Sequence, residues 1–348
     1  MRIIILGAGL SGLTAAYKLK KQGAYVTVLE ARARVGGRIW TKRLEGDTPA
    51  EAGATWFGMK HTYLVDLLKE MEVGHFEQYT EGASLIGSAF DSSLRRFYIP
   101  KDEPPSYRIE GGSTALIRAL ANRIEPSSLQ MGAPVDSLDF TGSSCRATTH
   151  NDTYEADVLV STLPPRLLAQ SINVTPALPS TLRELALNTQ TWMGRSVKFF
   201  VAYKKRFWVD NEFSGAAFSQ GGIIPEMYDH TSSDGVHFAL KGFLSDRAYQ
   251  LPLEKRREAV INQLVHYFGP EAKKVAEYGD TLWGGDRYTD ATDLPDLFPH
   301  QNNGHPLLRE PLFDGRFLIG GSETADAFPG YMDGAVNAAL RVVGQVMR

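Results

Sequence analysis

The sequence predicts an α/β fold organised around a doubly wound parallel sheet, and three observations predict it. The apolar run over residues 2–6 is typical of a strand that is buried on both faces. A glycine-rich turn follows, and residues 12–22 then have the apolar spacing of a helix that ends at Gly23. The β-rich run over residues 25–29 completes a strand–helix–strand unit, the first unit of a doubly wound sheet.

The rest of the chain continues with mixed helices and strands. Apolar periodicity predicts further helices over residues 61–71, 113–123, 254–268 and 332–347. Short strands are predicted over residues 135–140, 157–162, 197–203, 236–242 and 317–321. Ser113 is expected to cap its helix, because serine is a favoured N-cap residue. Between about residues 175 and 310 the strands contain more aromatic residues and the loops are longer, which predicts a second, mixed α+β domain.

Composition and charge exclude several classes of protein. The chain has 348 residues, 43% hydrophobic and 22% charged, which is ordinary for a globular protein of two domains. The net charge is -3, and the basic runs at residues 204–206 and 255–257 are short and isolated. We therefore expect no nucleic-acid partner. The eight histidines lack metal-ligand spacing and no GxSxG motif is present, so we expect no metal and no serine-hydrolase chemistry.

Cysteine usage and the absence of long apolar runs predict a cytoplasmic protein. Cys145 is the single cysteine, so no internal disulfide can form. The first predicted strand begins at Arg2, which leads us to expect no signal peptide. No apolar run approaches the ~20 residues that a membrane-spanning helix needs, so we expect no membrane association. The sequence does not indicate an oligomeric state.

Residues 7–12 form a GxGxxG motif, placed directly after a strand and at the start of a helix. The first glycine makes a tight turn, the second lets the backbone approach a pyrophosphate, and the third lets the helix pack against the strand. Glu30 ends the second strand 18 residues after Gly12, the distance expected for a carboxylate that binds ribose hydroxyls. That acid disfavours NADP, whose extra phosphate it would repel, but the motif leaves NAD and FAD open.

Residues 31–38 favour FAD. This segment contains Arg32 and Arg34, then Gly36, Gly37 and Arg38. A plain NAD domain needs neither two arginines nor a double glycine here, whereas a longer cofactor with a flavin beyond its pyrophosphate needs cations and close backbone approach.

This segment resembles the flavin-containing amine oxidases, the monoamine and polyamine oxidase family. The resemblance extends to residues 51–56, 111–113, Val135, 161–165, 320–324 and 330–335. It implies a non-covalently bound FAD, because no cysteine stands where the mitochondrial members attach their flavin. The implied cofactor-binding residues are Gly7, Ala8, Gly9, Leu10, Ser11, Gly12, Glu30, Ala31, Arg32, Gly36, Gly37, Arg38, Gly53, Ala54, Thr55, Trp56, Val135, Gly321, Ser322, Glu323, Tyr331, Met332 and Ala335.

Two residues are candidates for the chemistry. Lys198 lies in the strand predicted over residues 197–203, whose two faces are otherwise apolar. Burying a lysine costs free energy unless it is paired or neutral, which makes Lys198 a functional candidate. Its position resembles the family lysine that binds flavin N5 through a water.

Tyr331 is similar to one tyrosine of the aromatic cage around the substrate amine. The second cage position falls near residues 292–293, where the Gly-Gly-Cys-Tyr motif is missing, so Tyr288 and Trp56 are the alternatives considered.

The resemblance implies an amine-oxidase-like fold in two domains. Residues 1–74, 106–175 and 311–348 would form the Rossmann-type FAD-binding domain, and residues 75–105 and 176–310 the substrate domain. The implied reaction passes hydride from the carbon beside an amine to flavin N5, gives an imine, and uses O2 as the electron acceptor. A desaturase or porphyrinogen-oxidase-like enzyme, or a non-redox flavoprotein, stays open as an alternative.

Overall fold

The structure, a computed structural model, describes residues 1–44, 47–88, 93–100, 102–290 and 296–348. Its strands are β1 (Arg2–Leu6), β2 (Tyr25–Glu30), β3 (Thr41–Arg43), β4 (Pro49–Glu51), β5 (His75–Glu77), β6 (Ala83–Gly87), β7 (Leu94–Phe97), β8 (Tyr107–Ile109), β9 (Leu129–Met131), β10 (Val135–Asp139), β11 (Cys145–Thr149), β12 (Thr153–Ala156), β13 (Val158–Ser161), β14 (Asn173–Thr175), β15 (Val197–Tyr203), β16 (Phe213–Ser219), β17 (Glu226–Asp229), β18 (Phe238–Leu244), β19 (Val275–Leu282) and β20 (Phe317–Ile319). Its α-helices are α1 (Leu10–Lys21), α2 (Thr62–Glu70), α3 (Thr114–Ala121), α4 (Pro165–Ser171), α5 (Ser180–Leu187), α6 (Phe207–Asp210), α7 (Leu253–Phe268) and α8 (Met332–Val346).

A five-stranded parallel sheet has the order β20-β13-β1-β2-β9 and confirms the doubly wound prediction. β1 is central and apolar on both faces because both faces are covered. Ile3 and Ile5 pack with helices α1, α2, α3 and α8. Ile4 and Leu6 pack on the opposite face with a cluster that includes Phe317. Alternate residues of one apolar strand thus serve two cores.

A seven-stranded sheet has the order β19-β15-β18-β17-β16-β6-β7. Its neighbouring strands are antiparallel except for β16 and β6. Every residue of β15 is buried. Val197, Phe199 and Val201 face a core shared with α7, so the opposite face presents Lys198 toward the other side of the sheet. Smaller sheets have the orders β12-β11-β10-β14, β3-β4 and β5-β8.

Element ends differ from the sequence predictions by a few residues, and two of the differences have a clear physical reason. The strand expected over residues 236–242 is Phe238–Leu244, because its pairing with β15 places Val197 opposite Leu244. Ser113 stands at the N-cap position of α3, but its hydroxyl donates to the Ala54 carbonyl at 2.9 Å instead of capping the helix. A tertiary contact outcompetes the local cap. Within the described ranges, no helix is both long enough and apolar enough to cross a bilayer.

Candidate active site

A cavity of about 850 Å³ is lined by residues of both large sheets. Most of the predicted site residues lie on its wall, although they come from distant parts of the sequence. Those on the wall are Gly7, Gly9, Leu10, Ser11, Glu30, Ala31, Arg32, Gly36, Gly37, Arg38, Gly53, Ala54, Thr55, Trp56, Val135, Lys198, Ser322, Tyr331, Met332 and Ala335. The structure therefore brings both ends of the chain to one cavity.

Four predicted residues do not line the cavity, and each has another role. Ala8 is fully buried, and its N–H donates to Glu30 at 2.8 Å. A Cβ on Gly12 would lie 1.9 Å from the Gly7 carbonyl oxygen, so Gly12 allows α1 to pack against β1. A Cβ on Gly321 would lie 2.6 Å from the Leu163 carbonyl oxygen. Glu323 lies behind Arg38, to which it is paired.

Gly9 differs from its neighbouring glycines because its missing side chain faces open space. Its backbone is extended, with φ -74° and ψ -178°, so glycine is not required there by conformation. A Cβ at this position would meet nothing within 4 Å, and Gly9 lies on the cavity wall. Helix α1 begins at the next residue, which aims its free N–H groups at the same space. This geometry fits an anionic group that approaches the backbone closely.

Glu30 ends β2 with its carboxylate held on two sides. Oε2 accepts a hydrogen bond from the Ala8 N–H at 2.8 Å, and Oε1 accepts one from the Arg32 N–H at 2.9 Å. The residue is 3% exposed and lies on the cavity wall. Glu30 thereby fixes the glycine-rich turn relative to β2.

The two arginines that follow β2 have different positions. Arg32 lies on the cavity wall, and its guanidinium donates to Asp286 at 2.5 Å and to the Thr289 hydroxyl at 2.8 Å. Arg34 instead stacks on the Trp40 ring, 4.6 Å from its centroid, and donates to the Gly37 carbonyl at 3.0 Å. The expectation that both arginines face the cofactor space is wrong for Arg34, whose guanidinium holds the double-glycine turn.

Arg38 and Glu323 form a salt bridge beside the cavity. The guanidinium donates to the two carboxylate oxygens at 2.6 and 3.0 Å, and it also donates to the Ser322 hydroxyl and the Trp192 carbonyl. Burial by itself raises the pKa of the fully buried Glu323 carboxyl, but the charge and hydrogen bonds of Arg38 outweigh burial and hold that pKa below its usual value. The carboxylate stays ionised and keeps Arg38 on the cavity wall.

Lys198 is buried on the cavity wall, 6% exposed. Its amine donates to the Gly53 carbonyl at 2.5 Å and lies 5.1 Å from the centroid of the Phe243 ring. Burial lowers the pKa of Lys198 to about 8, and the carboxylates of Glu51 and Glu226 oppose that shift only in part. Lys198 therefore does not reach bulk solvent, as a lysine at a strand end could, and about half of its amine is unprotonated near pH 8.

Tyr331 lies on the wall next to the start of α8, and it is 38% exposed. Its ring is surrounded by other rings: Trp192 at 5.5 Å, His300 at 5.7 Å and His61 at 5.9 Å between centroids. Trp192 and His300 stack on each other at 3.7 Å. Tyr331 thus belongs to an aromatic cluster at one side of the cavity.

The first turn of α8 also forms part of the wall, through Met332 and Ala335. A Cβ on Gly334 would lie 2.2 Å from the Phe328 carbonyl oxygen, so a close neighbour requires glycine inside this helix. A helix N-terminus at the cavity favours negative charge there.

Comparisons with known proteins match nearly the whole length of the chain. The family model described as flavin containing amine oxidoreductase matches residues 10–105 and 74–347. The chain is 26% identical to the probable flavin-containing monoamine oxidase A of Dictyostelium discoideum, over 99% of this chain and 97% of that protein. Among solved structures, wild-type putrescine oxidase bound to putrescine superposes with a TM-score of 0.87 at 22% identity, covering 100% of this chain and 99% of that one. Cyclohexylamine oxidase of Brevibacterium oxydans gives a TM-score of 0.86 at 20% identity, with 100% and 99% coverage.

The chain belongs to the flavin containing amine oxidoreductase family. It is an FAD-dependent oxidoreductase that acts on an amine, as the resemblance implied. Its fold is that of the flavin amine oxidases. None of the relatives named above is a desaturase or a non-redox flavoprotein, so the alternatives gain no support.

The residues of the cavity fit an FAD. Gly9 leaves space where a side chain would intrude, and the N-terminus of α1 faces that space. Arg32 and Arg38 supply cations on the same wall, and the start of α8 supplies a second helix N-terminus. A phosphate-containing, partly apolar ligand matches this distribution of donors and charge.

Three wall residues of the seven-stranded sheet and its edge were not predicted: Glu226, Phe243 and Trp283. Glu226 and Phe243 are paired neighbours on β17 and β18, and Phe243 is also opposite Lys198. The Glu226 carboxylate accepts a hydrogen bond from the Tyr228 hydroxyl at 2.8 Å. No local sequence pattern identifies these residues, because strand register alone brings them together.

Within the described part of the chain, neither Tyr288 nor Trp56 makes a ring contact with Tyr331. Tyr288 lies against Arg32, with 5.5 Å from guanidinium carbon to ring centroid. Trp56 packs on Tyr228 at 5.1 Å. The slot at residues 292–293 lies outside the described residues. Trp192, which sequence reasoning overlooked, has its ring centroid 5.5 Å from that of Tyr331.

Across the described segments of the chain, no three His, Cys, Asp or Glu side chains are grouped so as to hold a metal ion.

Proposed function

We propose that the protein oxidises an alkyl amine by removing hydride from the carbon beside nitrogen, giving an imine that hydrolyses, with O2 as the electron acceptor. The observation that carries this proposal is the position of Lys198. Its buried amine lies on the cavity wall beside Phe243 and the 53–56 segment, which supports the role that the resemblance implies for this lysine.

When bound, FAD supplies the hydride acceptor at N5 and returns the electrons to oxygen. We propose that the turn at residues 7–12 and the N-terminus of α1 hold its pyrophosphate, and that Glu30 binds the ribose. The FAD domain would comprise residues 1–74, 106–175 and 311–348, which supply the five-stranded sheet and α8. Residues 75–105 and 176–310 would form the substrate domain, whose seven-stranded sheet supplies Lys198.

The substrate would lie between the flavin and the wall that contains Lys198, Glu226 and Phe243. The apolar rings exclude water from the reacting carbon, and the Glu226 carboxylate favours an approaching ammonium group. Lys198 would hold a water through its amine, and Tyr331 would orient the substrate nitrogen.

We propose that FAD is bound without a covalent link and that the protein works in the cytoplasm. Cys145 is the single cysteine of the sequence, and it is buried within β11, away from the cavity wall. Its thiol lies 3.5 Å from the Asp157 carbonyl, and burial raises its pKa, so it is not a nucleophile for the flavin.

Anaerobic mixing with a panel of amines, amino acids and polyamines tests the proposal. A substrate amine should bleach the flavin absorbance, and admission of air should restore it with release of one peroxide per imine. Benzyl alcohol and unsaturated hydrocarbons serve as non-amine controls. Bleaching by a non-amine, with none by any amine, would contradict amine oxidation.

A further inference from the structure

A second buried lysine lies beside Lys198 on the same face of the seven-stranded sheet, but of the two only Lys198 reaches the cavity. In the register of β15 and β18, Phe243 is opposite Lys198 and Lys241 is opposite Phe200. Lys241 is two residues from Phe243, so the two lysines are diagonal neighbours that share a face. Lys198 lines the cavity, whereas Lys241 is 0% exposed and is not on the cavity wall. A proton from solvent in the cavity can therefore reach the Lys198 amine directly.

The Lys198 amine is held by a backbone carbonyl. It donates to the Gly53 oxygen at 2.5 Å, and within the described part of the chain this is its hydrogen-bond acceptor. An ammonium group has three N–H donors to satisfy. Hydrogen bonds from the protein therefore do not lock the amine in its protonated form, and nearby charge decides its protonation state.

Two carboxylates act on Lys198 from a distance. Glu51 accepts its hydrogen bonds elsewhere, one of them from the Ser113 N–H, and Glu226 accepts one from the Tyr228 hydroxyl at 2.8 Å. Among the described residues, neither carboxylate forms a salt bridge with Lys198. Their charges oppose only part of the effect of burial on its pKa.

The other titratable groups around Lys198 keep their states near pH 8. Burial lowers the pKa of Arg108 to about 10, which leaves it a cation. Burial and then Arg108 hold the pKa of His230 far below its usual value, so His230 is neutral. Burial raises the pKa of Tyr228, whose hydroxyl keeps its proton. Burial and then the charge of Lys198 lower the pKa of Lys241 well below its usual value, so Lys241 gives up its proton first.

We propose that Lys198 takes up one proton from solvent when the bound flavin is reduced, so that an ammonium on the cavity wall offsets the negative charge that the reduced flavin adds. This inference rests on the proposed position of Lys198 beside the flavin. The electrons come from the reductant, and the lone pair of the amine forms the new N–H bond. That bond breaks again on reoxidation, when the proton returns to solvent and the lone pair stays on the amine.

The acid–base properties of Lys198 agree with this role. Its pKa is about 8 before any charge enters the cavity, so the amine is poised to respond to one. A negative charge within ~4–6 Å favours the ammonium form and raises such a pKa by ~1–3 units. Above pH 8 the reduced protein should therefore bind more proton at Lys198 than the oxidised protein does, which links the flavin potential to pH.

NMR of the FAD-loaded protein with carbon-13 at lysine Cε follows this proton directly. Lys198→Met removes one resonance and so assigns it, and Lys198→Arg gives the same assignment if the methionine variant does not fold. The resonance should titrate near pH 8 in the oxidised protein, and its midpoint should rise by about one unit or more after anaerobic reduction with dithionite. An unchanged midpoint would overturn the proposal, and so would a shift found at Lys241 alone.

Potentiometric titration of the bound flavin, with no amine present, measures the linkage. Relative to Lys198→Met, the wild-type potential should be constant below about pH 7 and should fall by ~30 mV per pH unit above pH 8, the effect of one proton on a two-electron couple. Lys198→Arg keeps a permanent charge, so its curve should lie above that of Lys198→Met and parallel to it. Lys241→Met, away from the cavity wall, should keep the wild-type slope.

The two proposals fail in different ways. Parallel curves for wild type and Lys198→Met would sink the linkage even if amines are oxidised. The expected slope in a protein whose flavin no amine reduces would sink the proposed function and leave the linkage standing.

Discussion

Arg38 and Glu323, 285 residues apart in the sequence, form a two-point salt bridge that ties the N-terminal cofactor segment to the C-terminal one. Glu323 is fully buried, whereas Arg38 lies on the cavity wall. Leaving the Glu323 carboxylate without its counter-charge would therefore cost more free energy than leaving a surface acid unpaired. The salt bridge therefore holds the N-terminal and C-terminal segments together at the cavity.

Removing the guanidinium should destabilise the protein. Arg38→Met leaves a buried, unpaired carboxylate, and the free energy of unfolding should fall by ~3–5 kcal/mol. Urea denaturation of the FAD-loaded protein measures it. Because the folded pKa of Glu323 is depressed, its pairing stabilises the protein above the unfolded pKa of about 4.5 and is lost as pH falls through the lower folded value. The difference between variant and wild type should thus shrink below pH 4.5.

Lys255→Met removes an exposed ion pair with Glu258 and should change the stability little. An Arg38→Met protein as stable as this control would show that the salt bridge contributes nothing measurable.

Glu30→Ala should weaken FAD binding by ~1.5–3 kcal/mol through loss of a charge-assisted hydrogen bond to ribose. The structure adds a second reason, because the Ala8 and Arg32 N–H groups lose their acceptor and the glycine turn is no longer held. Glu30→Gln keeps an acceptor and should lose less. Titration of apoprotein with FAD, followed by flavin fluorescence, measures both, and Tyr25→Ala at the exposed start of β2 is the control. Equal FAD affinity in wild type, both Glu30 variants and the Tyr25→Ala control would show that Glu30 does not contribute to FAD binding.

The glycines of the turn should separate into binding and packing positions. Gly9→Ala places a methyl group in open space, so the apoprotein should keep its stability while FAD binding weakens by ~1–3 kcal/mol from crowding. Gly12→Ala places its methyl against the Gly7 carbonyl and should destabilise the apoprotein itself. Thermal unfolding of the apoproteins and FAD titration distinguish the two. Normal FAD affinity in Gly9→Ala would mean that the cofactor does not approach this backbone.

The sequence alone predicted those features that depend on the residues of one short segment. The turn after β1 needs glycine for close contacts, and Lys198 is conspicuous because its strand is apolar on both faces. Lys241 occupies the same kind of apolar strand, so the argument used for Lys198 would have identified it too. The second cage position could not be settled, because Trp192 reaches Tyr331 only through the folded chain.

Other wall residues could not be predicted for a physical reason. Glu226 and Phe243 reach the cavity through the register of a sheet assembled from strands between residues 83 and 282. A shift of one residue would turn each side chain to the opposite face. Arg34 was misplaced for a related reason, since its stacking on Trp40 depends on a loop conformation.

Denaturation should release the cofactor. Cys145 is buried away from the cavity wall, so acid or heat should leave the yellow colour in the supernatant, with one FAD per chain by absorbance. Cys145→Ala should retain the same flavin content as wild type. Colour that stays with the precipitated protein would contradict the non-covalent proposal.

Lys198→Met tests the proposed chemistry apart from the fold. The variant should still bind FAD, because the glycine turn and Glu30 are distant in the chain and unchanged. Stopped-flow flavin reduction by amine, reoxidation by O2, or both should slow by ten- to a thousandfold, which corresponds to ~1.4–4 kcal/mol, the scale of one well-placed polar group. The wild-type rate should rise with pH through the neutral range, since an alkylamine with pKa near ~10 must lose its proton before it gives up hydride. Phe200→Leu, on the same face of β15, is a matched control for disturbing the strand. If Lys198→Met kept both half-reaction rates, Lys198 would be structural, and amine oxidation would rest on family membership alone.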